Sequence, residues 1–233
     1  RFSADEFMEG GNTLEDTLEM MEYLVDEIDI LNVSAAVNDT LQYQIDANYL
    51  KDGWRSYMAK AFKEKFNKPV ITSGNIRNPE VAEKILAEGH ADLLAMGRGL
   101  IADPEWVNKV RSGREDELRK CISCNIACSG HRIGLNRPVR CTVNPSVIFG
   151  DKELKVNKAT NVVVIGGGTA GLEAACTAAE VGCTTFLFEA KPYLGGLARE
   201  IAKLPAKDRI NDFPDYLINR AKKLKNLYIF TNT

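Results

Sequence analysis

Two hydrophobic periods alternate along this chain. Residues 13–26 (TLEDTLEMMEYLVD) carry apolar side chains at helical spacing, and Thr13 with Asp16 has the spacing of a capping box, so an amphipathic helix is predicted. Residues 28–35 (IDILNVSA) predict a short apolar strand, 36–52 a polar and aromatic loop, and the run from about Trp54 to Phe66 a second helix. PVITSG (69–74) reads as a strand ending in glycine. NPEVAEKILAEG (78–89) follows as a helix, with Asn78 as N-cap, Pro79 at the first helical position and Gly89 as the stop. ADLLAMGRG (91–99) is a strand running into a glycine loop. DPEWVNKVRSG (103–113) repeats the helix device, with Asp103 as cap and Pro104 at the first position.

Strands and helices in alternation, with glycine loops at the strand ends, describe parallel βα units. Three such units neither close a barrel nor bury a sheet on both faces. The opening RFS reads as the tail of a strand already in progress, so the pattern predicts that the front of this domain lies outside the chain. After residues 120–145 and a charged linker (151–160) the character changes. Residues 161–190 read as strand, glycine turn, helix and strand, followed by a helix at about 208–223 and a strand at 227–232.

Composition narrows the function classes. The 233 residues are 45% hydrophobic and 27% charged, with a net charge of −2, so there is no electrostatic reason to expect nucleic acid or an anionic membrane as partner. No apolar run approaches the roughly 20 residues that span a bilayer, and the first residues form no signal-peptide apolar region. Six cysteines without a secretory signal point to a reducing compartment, by default the cytoplasm, where clustered cysteines serve metal or redox chemistry.

Four of them, Cys121, Cys124, Cys128 and Cys141, follow the pattern C-x2-C-x3-C-x12-C. Zinc sites usually come as two separated C-x2-C knuckles. Here three thiols fall on one tight loop and the fourth arrives from a distance, which suits a [4Fe-4S] cubane; structural zinc and metal-free thiols are the alternatives. Cys176 and Cys183 lie in and after an apolar helix and read as small core residues.

VVVIGGGTAGLEAA places Gly166, Gly168 and Gly171 as G-x-G-x-x-G between an apolar strand and a helix. The first glycine permits the turn, the second the approach of a pyrophosphate, and the third helix-on-strand packing. Glu189 ends the next strand, where a carboxylate accepts ribose hydroxyls. An adenine dinucleotide is expected, though the string alone does not separate FAD from NAD. SGNIRN (73–78) and MGRGLIADP (96–104) end consecutive strands, as do the loops that build a phosphate site in a (β/α)8 barrel, and Arg98 offers a charged fork there.

Together these residues resemble the iron–sulfur branch of the Old Yellow Enzyme family, which includes dienoyl-CoA reductases, enoate reductases and trimethylamine dehydrogenase. The stretches RFSADEFMEGGNT, ITSGNIRNPE, ADLLAMGRGLIADP, CISCNIAC, CTVNP, VVVIGGGTAGLEAA and FEAKPYLGG stand in the family's order. The resemblance implies an α/β chain holding the C-terminal part of an FMN-binding (β/α)8 barrel (1–117), a [4Fe-4S] segment (118–150) and the start of a Rossmann-like FAD/NAD(P)-binding domain (151–233). It implies that Arg1 lies near the flavin pyrimidine ring and that Gly74, Asn75, Gly97 and Arg98 form the FMN phosphate loops. It further implies that Gly166, Gly168, Gly171 and Glu189 bind FAD, with Gly195 and Gly196 beside its diphosphate.

The implied activity is an oxidoreductase, an ene-reductase of the NADH:flavin type, passing electrons from NAD(P)H through FAD and the cluster to FMN and an unsaturated carbonyl substrate. Amine oxidation at FMN, or a non-catalytic electron carrier, are the rivals. The implied partner is that small molecule, with self-association into a homo-oligomer left open. One departure stands out. Dienoyl-CoA reductases carry a Trp-His pair where this chain reads AAVND, with Asn38 at the histidine's place, which favours an enoate or other unsaturated carbonyl. His90 and His131 are expected in surface or outer roles, and Tyr43 and Tyr49 in packing, with proton donation the alternative for either tyrosine.

Overall fold

The structure, a computed structural model, describes residues 1–150 and 154–233; residues 151–153, the start of the expected linker, lie outside the described residues. By packing, the chain divides into two units, Arg1–Ile101 with Ser123–Pro138, and Ala102–Ile122 with Val139–Thr233.

In the first unit the strands β1 (Phe2–Ser3), β2 (Leu31–Ser34), β3 (Val70–Ser73) and β4 (Leu93–Ala95) form one parallel sheet in chain order. Phe2 stands opposite Val33, Leu31 opposite Val70 and Ile71 opposite Leu93. Helices Leu14–Glu22, Ser56–Phe66 and Pro79–Ala87 connect successive strands, the arrangement of a (β/α)8 barrel. Met58, Ala59 and Phe62 on the middle helix bury fully with Leu31 and Val70, and the Phe2 ring meets the Phe62 edge at 4.8 Å.

The first helix begins on the predicted capping box: the Asp16 amide donates to Thr13 Oγ1 and the Thr13 amide to Asp16 Oδ2. It ends at Glu22, short of residue 26, because Tyr23 and Leu24 are exposed and no burial rewards another turn. Asn78 has the extended backbone of an N-cap before Pro79, but its side chain donates to Asp52 and leaves the first turn uncapped.

In the second unit β5 (Asn161–Ile165), β6 (Thr184–Glu189) and β7 (Leu227–Thr231) form a parallel sheet in that order. Helices Thr169–Glu180 and Asp212–Lys222 cover one face through Leu172, Cys176, Leu187 and Leu217, all fully buried. Cys176 and Cys183 are core residues, as their apolar surroundings predict. The opposite face carries Val163, Phe186 and Tyr228 in one row and Ile165, Phe188 and Phe230 in the next. Its rings stack in pairs, Phe186 on Tyr228 at 5.4 Å and Phe188 on Phe230 at 5.0 Å, while Val163 and Ile165 are exposed.

Asp103 is buried in the same unit. It accepts from the Glu105 and Arg119 amides and from Lys109 Nζ, so it caps a turn, and the regular helix starts only at Trp106. Among the described residues no helix is long and apolar enough to cross a membrane.

Candidate functional site

The glycine turn is built as its spacing predicts. Strand β5 stops at Ile165, and Gly166 takes φ +100°, a conformation that disfavours any L side chain. The Gly166 amide donates to the Phe188 carbonyl at 2.7 Å, tying the turn to β6. Gly168 caps the helix Thr169–Glu180. A Cβ on Gly171 would land on the Gly166 carbonyl oxygen, so glycine here is what lets the helix close on the turn.

The second glycine pair is laced to the first. The Gly195 amide donates to the Gly167 carbonyl at 2.8 Å, and Gly168 bridges Gly195 in parallel fashion. A Cβ on Gly196 would come within 2.9 Å of the Gly168 Cα. Five predicted glycines thus occupy one small area at the positive end of a 12-residue helix, where backbone dipoles favour an anion.

Glu189 stands over this turn. Its carboxylate accepts from the Gly167 amide at 2.6 Å and the Lys191 amide at 2.8 Å. The Lys191 amide first, then the Gly167 amide, hold its carboxyl below the usual carboxylate range, so it is ionised at neutral pH. Two carboxylate oxygens offer about four acceptor positions, which leaves capacity for hydroxyl donors.

The loops of the first unit assemble around a residue that no motif announces. Asp46, buried at 4% exposure, accepts from Trp54 Nε1 at 2.7 Å, Arg55 Nη2 at 2.9 Å, Arg98 Nη2 at 3.2 Å and the Asn75 amide at 3.2 Å. Gly74 (φ +124°) and Asn75 (φ +46°) both sit in the left-handed region, so the turn after β3 suits a glycine followed by an asparagine. Asn75 Nδ2 donates to the carbonyls of Ala47 and Leu50, which fixes the side chain. The fork expected at Arg98 is spent on protein acceptors: Nη1 on the Asp46 carbonyl and Asn125 Oδ1, and Nη2 on Asp46 Oδ2 and Asn75 Oδ1. At Gly97 an added Cβ would meet nothing within 4 Å, so packing is not what calls for glycine there.

The electrostatics of this region are unbalanced toward positive. Two guanidiniums, Arg55 and Arg98, meet one carboxylate. Burial pushes the Arg55 guanidinium pKa down, Asp46 pulls it back up, and Arg98 and then Arg1 push it down again. An anion placed among these arginines would relieve that repulsion. Arg1 itself is exposed and donates to Ser34 Oγ at 3.1 Å, at the end of β2. Sequence reading found Arg1 and Arg98 but missed Arg55 and Asp46. No local pattern marks either one, since their burial and their partners appear only in the folded chain.

The four spaced cysteines are all partly buried, and none forms a disulfide. Cys124 and Cys128 belong to the first unit, Cys121 and Cys141 to the second. Among the described residues no three His, Cys, Asp or Glu side chains are placed to hold a metal ion. The donor set still suits a soft iron–sulfur group, being four thiols without a carboxylate. Ser123 and Asn125 both take positive φ and turn the backbone on either side of Cys124. His131, three residues past Cys128, buries its Nδ1 without a partner, an orphan that a further hydrogen-bonding group in this loop would satisfy.

The other candidates have structural duties. Tyr43 packs against Phe7 and Trp54, as expected, whereas Tyr49 is mostly exposed and packs little. His90 Nδ1 lies 3.1 Å from Ser56 Oγ at the end of its helix. Asn38 is exposed in the turn after β2.

Comparison with known proteins adds names to these parts. Residues 1–117 match the NADH:flavin oxidoreductase / NADH oxidase family, and residues 161–207 match the FAD dependent oxidoreductases. The NADH oxidase of Thermoanaerobacter brockii is 48% identical over 93% of this chain and 34% of its own length. The cinnamate reductase of Clostridium sporogenes is 34% identical over 82% of this chain and 29% of its own. Among solved structures, the 6-hydroxypseudooxynicotine amine oxidase HisD of Pseudomonas geniculata N1 superposes with a TM-score of 0.91 at 27% identity, covering all of this chain and 36% of that one. The chain thus spans about a third of the length of the curated relatives it matches. With half of its residues matching that family's own model, the chain belongs to the NADH:flavin oxidoreductase / NADH oxidase family.

Proposed function

We propose that this chain is part of an NAD(P)H-dependent flavin and iron–sulfur oxidoreductase that reduces the activated C=C bond of an unsaturated carbonyl compound, an enoate or enone. The observation that carries the reading is the order of parts on one polypeptide: a half-barrel of the FMN family, C-x2-C-x3-C-x12-C, and an FAD-type glycine turn under an ionised Glu189. Bound to these parts, FAD, a [4Fe-4S] cluster and FMN would supply hydride acceptance from NAD(P)H, single-electron transfer, and delivery of electrons to the C=C bond, in that order.

The chain's own residues bind and orient. Amides of the turn at Gly166 and Gly168, with Gly195 and Gly196 beside them, hold the FAD diphosphate. Gly171 brings the helix end close, and Glu189 accepts the ribose hydroxyls. Cys121, Cys124, Cys128 and Cys141 ligate the cluster as thiolates. Gly74, Asn75, Gly97 and Arg98 frame the FMN phosphate, Arg55 and Arg98 supply its surplus of positive charge, and Arg1 stabilises negative charge on the flavin ring. Asn38 takes the place of the family's protonating histidine, which supports an enoate over a dienoyl thioester, and a cinnamate reductase among the relatives supports the same class.

The likeness to an amine oxidase favours a second reading, in which an amine is oxidised at FMN and electrons leave outward. One anaerobic experiment on the complete protein separates the two. Under the first reading NADH bleaches the flavins and a cinnamate-type enoate restores their absorbance, while amines do nothing. Bleaching of the oxidised protein by secondary or tertiary amines, with no response to enoates, would establish the second.

A further inference from the structure

Asp46 belongs to no recognisable motif, yet its carboxylate holds Arg98 and Asn75, the two residues through which two chemically distinct loops are tied together. One is the pair of strand-end loops, Gly74–Asn75 and Gly97–Arg98; the other is the cysteine loop around Cys124. From the buried Asp46 carboxylate, hydrogen bonds run to the Asn75 amide and to Arg98 Nη2. From Arg98 they continue through Nη1 to Asn125 Oδ1 at 2.5 Å, and from Asn75 Oδ1 to the Ser123 hydroxyl at 3.1 Å. Asn125 Nδ2 closes the circuit on the Ile45 carbonyl at 2.9 Å, beside Asp46. Ser123 and Asn125 flank Cys124, so both neighbours of a proposed cluster ligand are anchored to the residues proposed to frame a phosphate. All of these residues lie in the first unit.

A carboxylate with four donors cannot rotate without leaving charged groups unpaired in a buried site, so the network is stiff. Arg98 and Asn75 are also the residues that a phosphate loop would need to keep in place. Asn125 holds a left-handed backbone (φ +57°), which fixes the direction in which the cysteine loop leaves its turn.

We propose that Asp46, through Arg98 and Asn75, is a positioning residue that couples the FMN phosphate loops to the iron–sulfur loop, so that filling either site strengthens the other. This rests on the reading of those two loops given above. Coupling of this kind is reciprocal: whatever factor the cluster adds to FMN affinity, FMN adds to cluster retention.

The test uses the complete protein, purified anaerobically. FMN affinity is measured with the cluster present and after iron removal by a chelator, with FAD content as the internal control. In the wild type, iron removal is expected to weaken FMN about tenfold, the range of one charge-assisted hydrogen bond, and to leave FAD bound. Asn125→Gly keeps the left-handed turn and removes the side chain that bonds Arg98 and Ile45, leaving only the Ser123–Asn75 link; it should weaken FMN with iron present and shrink the iron-dependent factor clearly below the wild-type value. The electron paramagnetic resonance of its reduced cluster should also shift although every cysteine is intact, a change that a loss of general stability would not produce. Asp46→Asn should do the same more severely, and if it fails to fold, Asn125→Gly decides alone.

If wild-type protein carries no FMN or no iron, the functional reading falls and the coupling with it. If both are present and Asn125→Gly keeps wild-type FMN affinity, iron dependence and resonance, the coupling is wrong and the functional reading stands.

Discussion

Glu189 reaches back 22 residues to accept the Gly167 amide, closing the end of β6 onto the glycine turn that follows β5. Because its carboxyl is held below the usual range, its contribution to stability is present above the unfolded value near 4.5 and is lost as pH falls through the depressed folded value. Glu189→Gln should therefore lower the melting temperature at neutral pH, and the gap to wild type should close on acidification. A gap that is constant with pH would show that charge at Glu189 contributes nothing.

Gly171 offers a sharper test of packing. Alanine there would drive a methyl into the Gly166 carbonyl oxygen, and the helix would have to shift outward. We expect Gly171→Ala to cost about 1–3 kcal/mol, the usual range for overpacking, and to weaken FAD. Thermal unfolding and FAD content together check it; an unchanged melt would contradict the close approach.

At Gly97 the opposite holds. A side chain there meets open space and φ is not positive, so Gly97→Val should fold with a stability change within about 0.5 kcal/mol. If the loop's amides approach the FMN phosphate, the same variant should nonetheless lose FMN and retain FAD. Chromatography of the released flavins gives the ratio, and equal loss of both, or of neither, argues against the assignment.

The cysteines divide into two chemical groups. Burial pushes the Cys176 thiol up to about 11, and Cys183 is buried too, so neither should alkylate in the native state near neutral pH. Cys141→Ala should remove iron and sulfide while leaving FAD bound, and in the complete protein NADH should still bleach FAD while FMN stays oxidised. A Cys141→Ala protein that folds, lacks iron and still reduces substrate at the wild-type rate would refute the electron relay.

Much of this fold was legible because the hydrophobic period changes where the elements change: Val70–Ser73 and Asn161–Ile165 are strands bounded by glycine, and Thr13 with Asp16 starts a helix. The glycine turn was readable for a similar reason, since its function is local backbone geometry. Asp46 and Arg55 were not readable. Their significance comes from partners as far as 52 residues away, and no local pattern in a polar loop reveals which charges will be buried together. Asn78 shows the converse, a good local cap signal whose side chain is oriented instead by donating from Nδ2 to Asp52, so that Oδ1 accepts no first-turn amide.

The aromatic face of the second sheet has a practical consequence for anyone producing this region alone. Two stacked ring pairs beside the exposed Val163 and Ile165, on a sheet whose edge strands are β5 and β7, form a surface prone to self-adhesion. Residues 161–233 expressed by themselves should be colloidally fragile, turning cloudy with concentration well before they unfold.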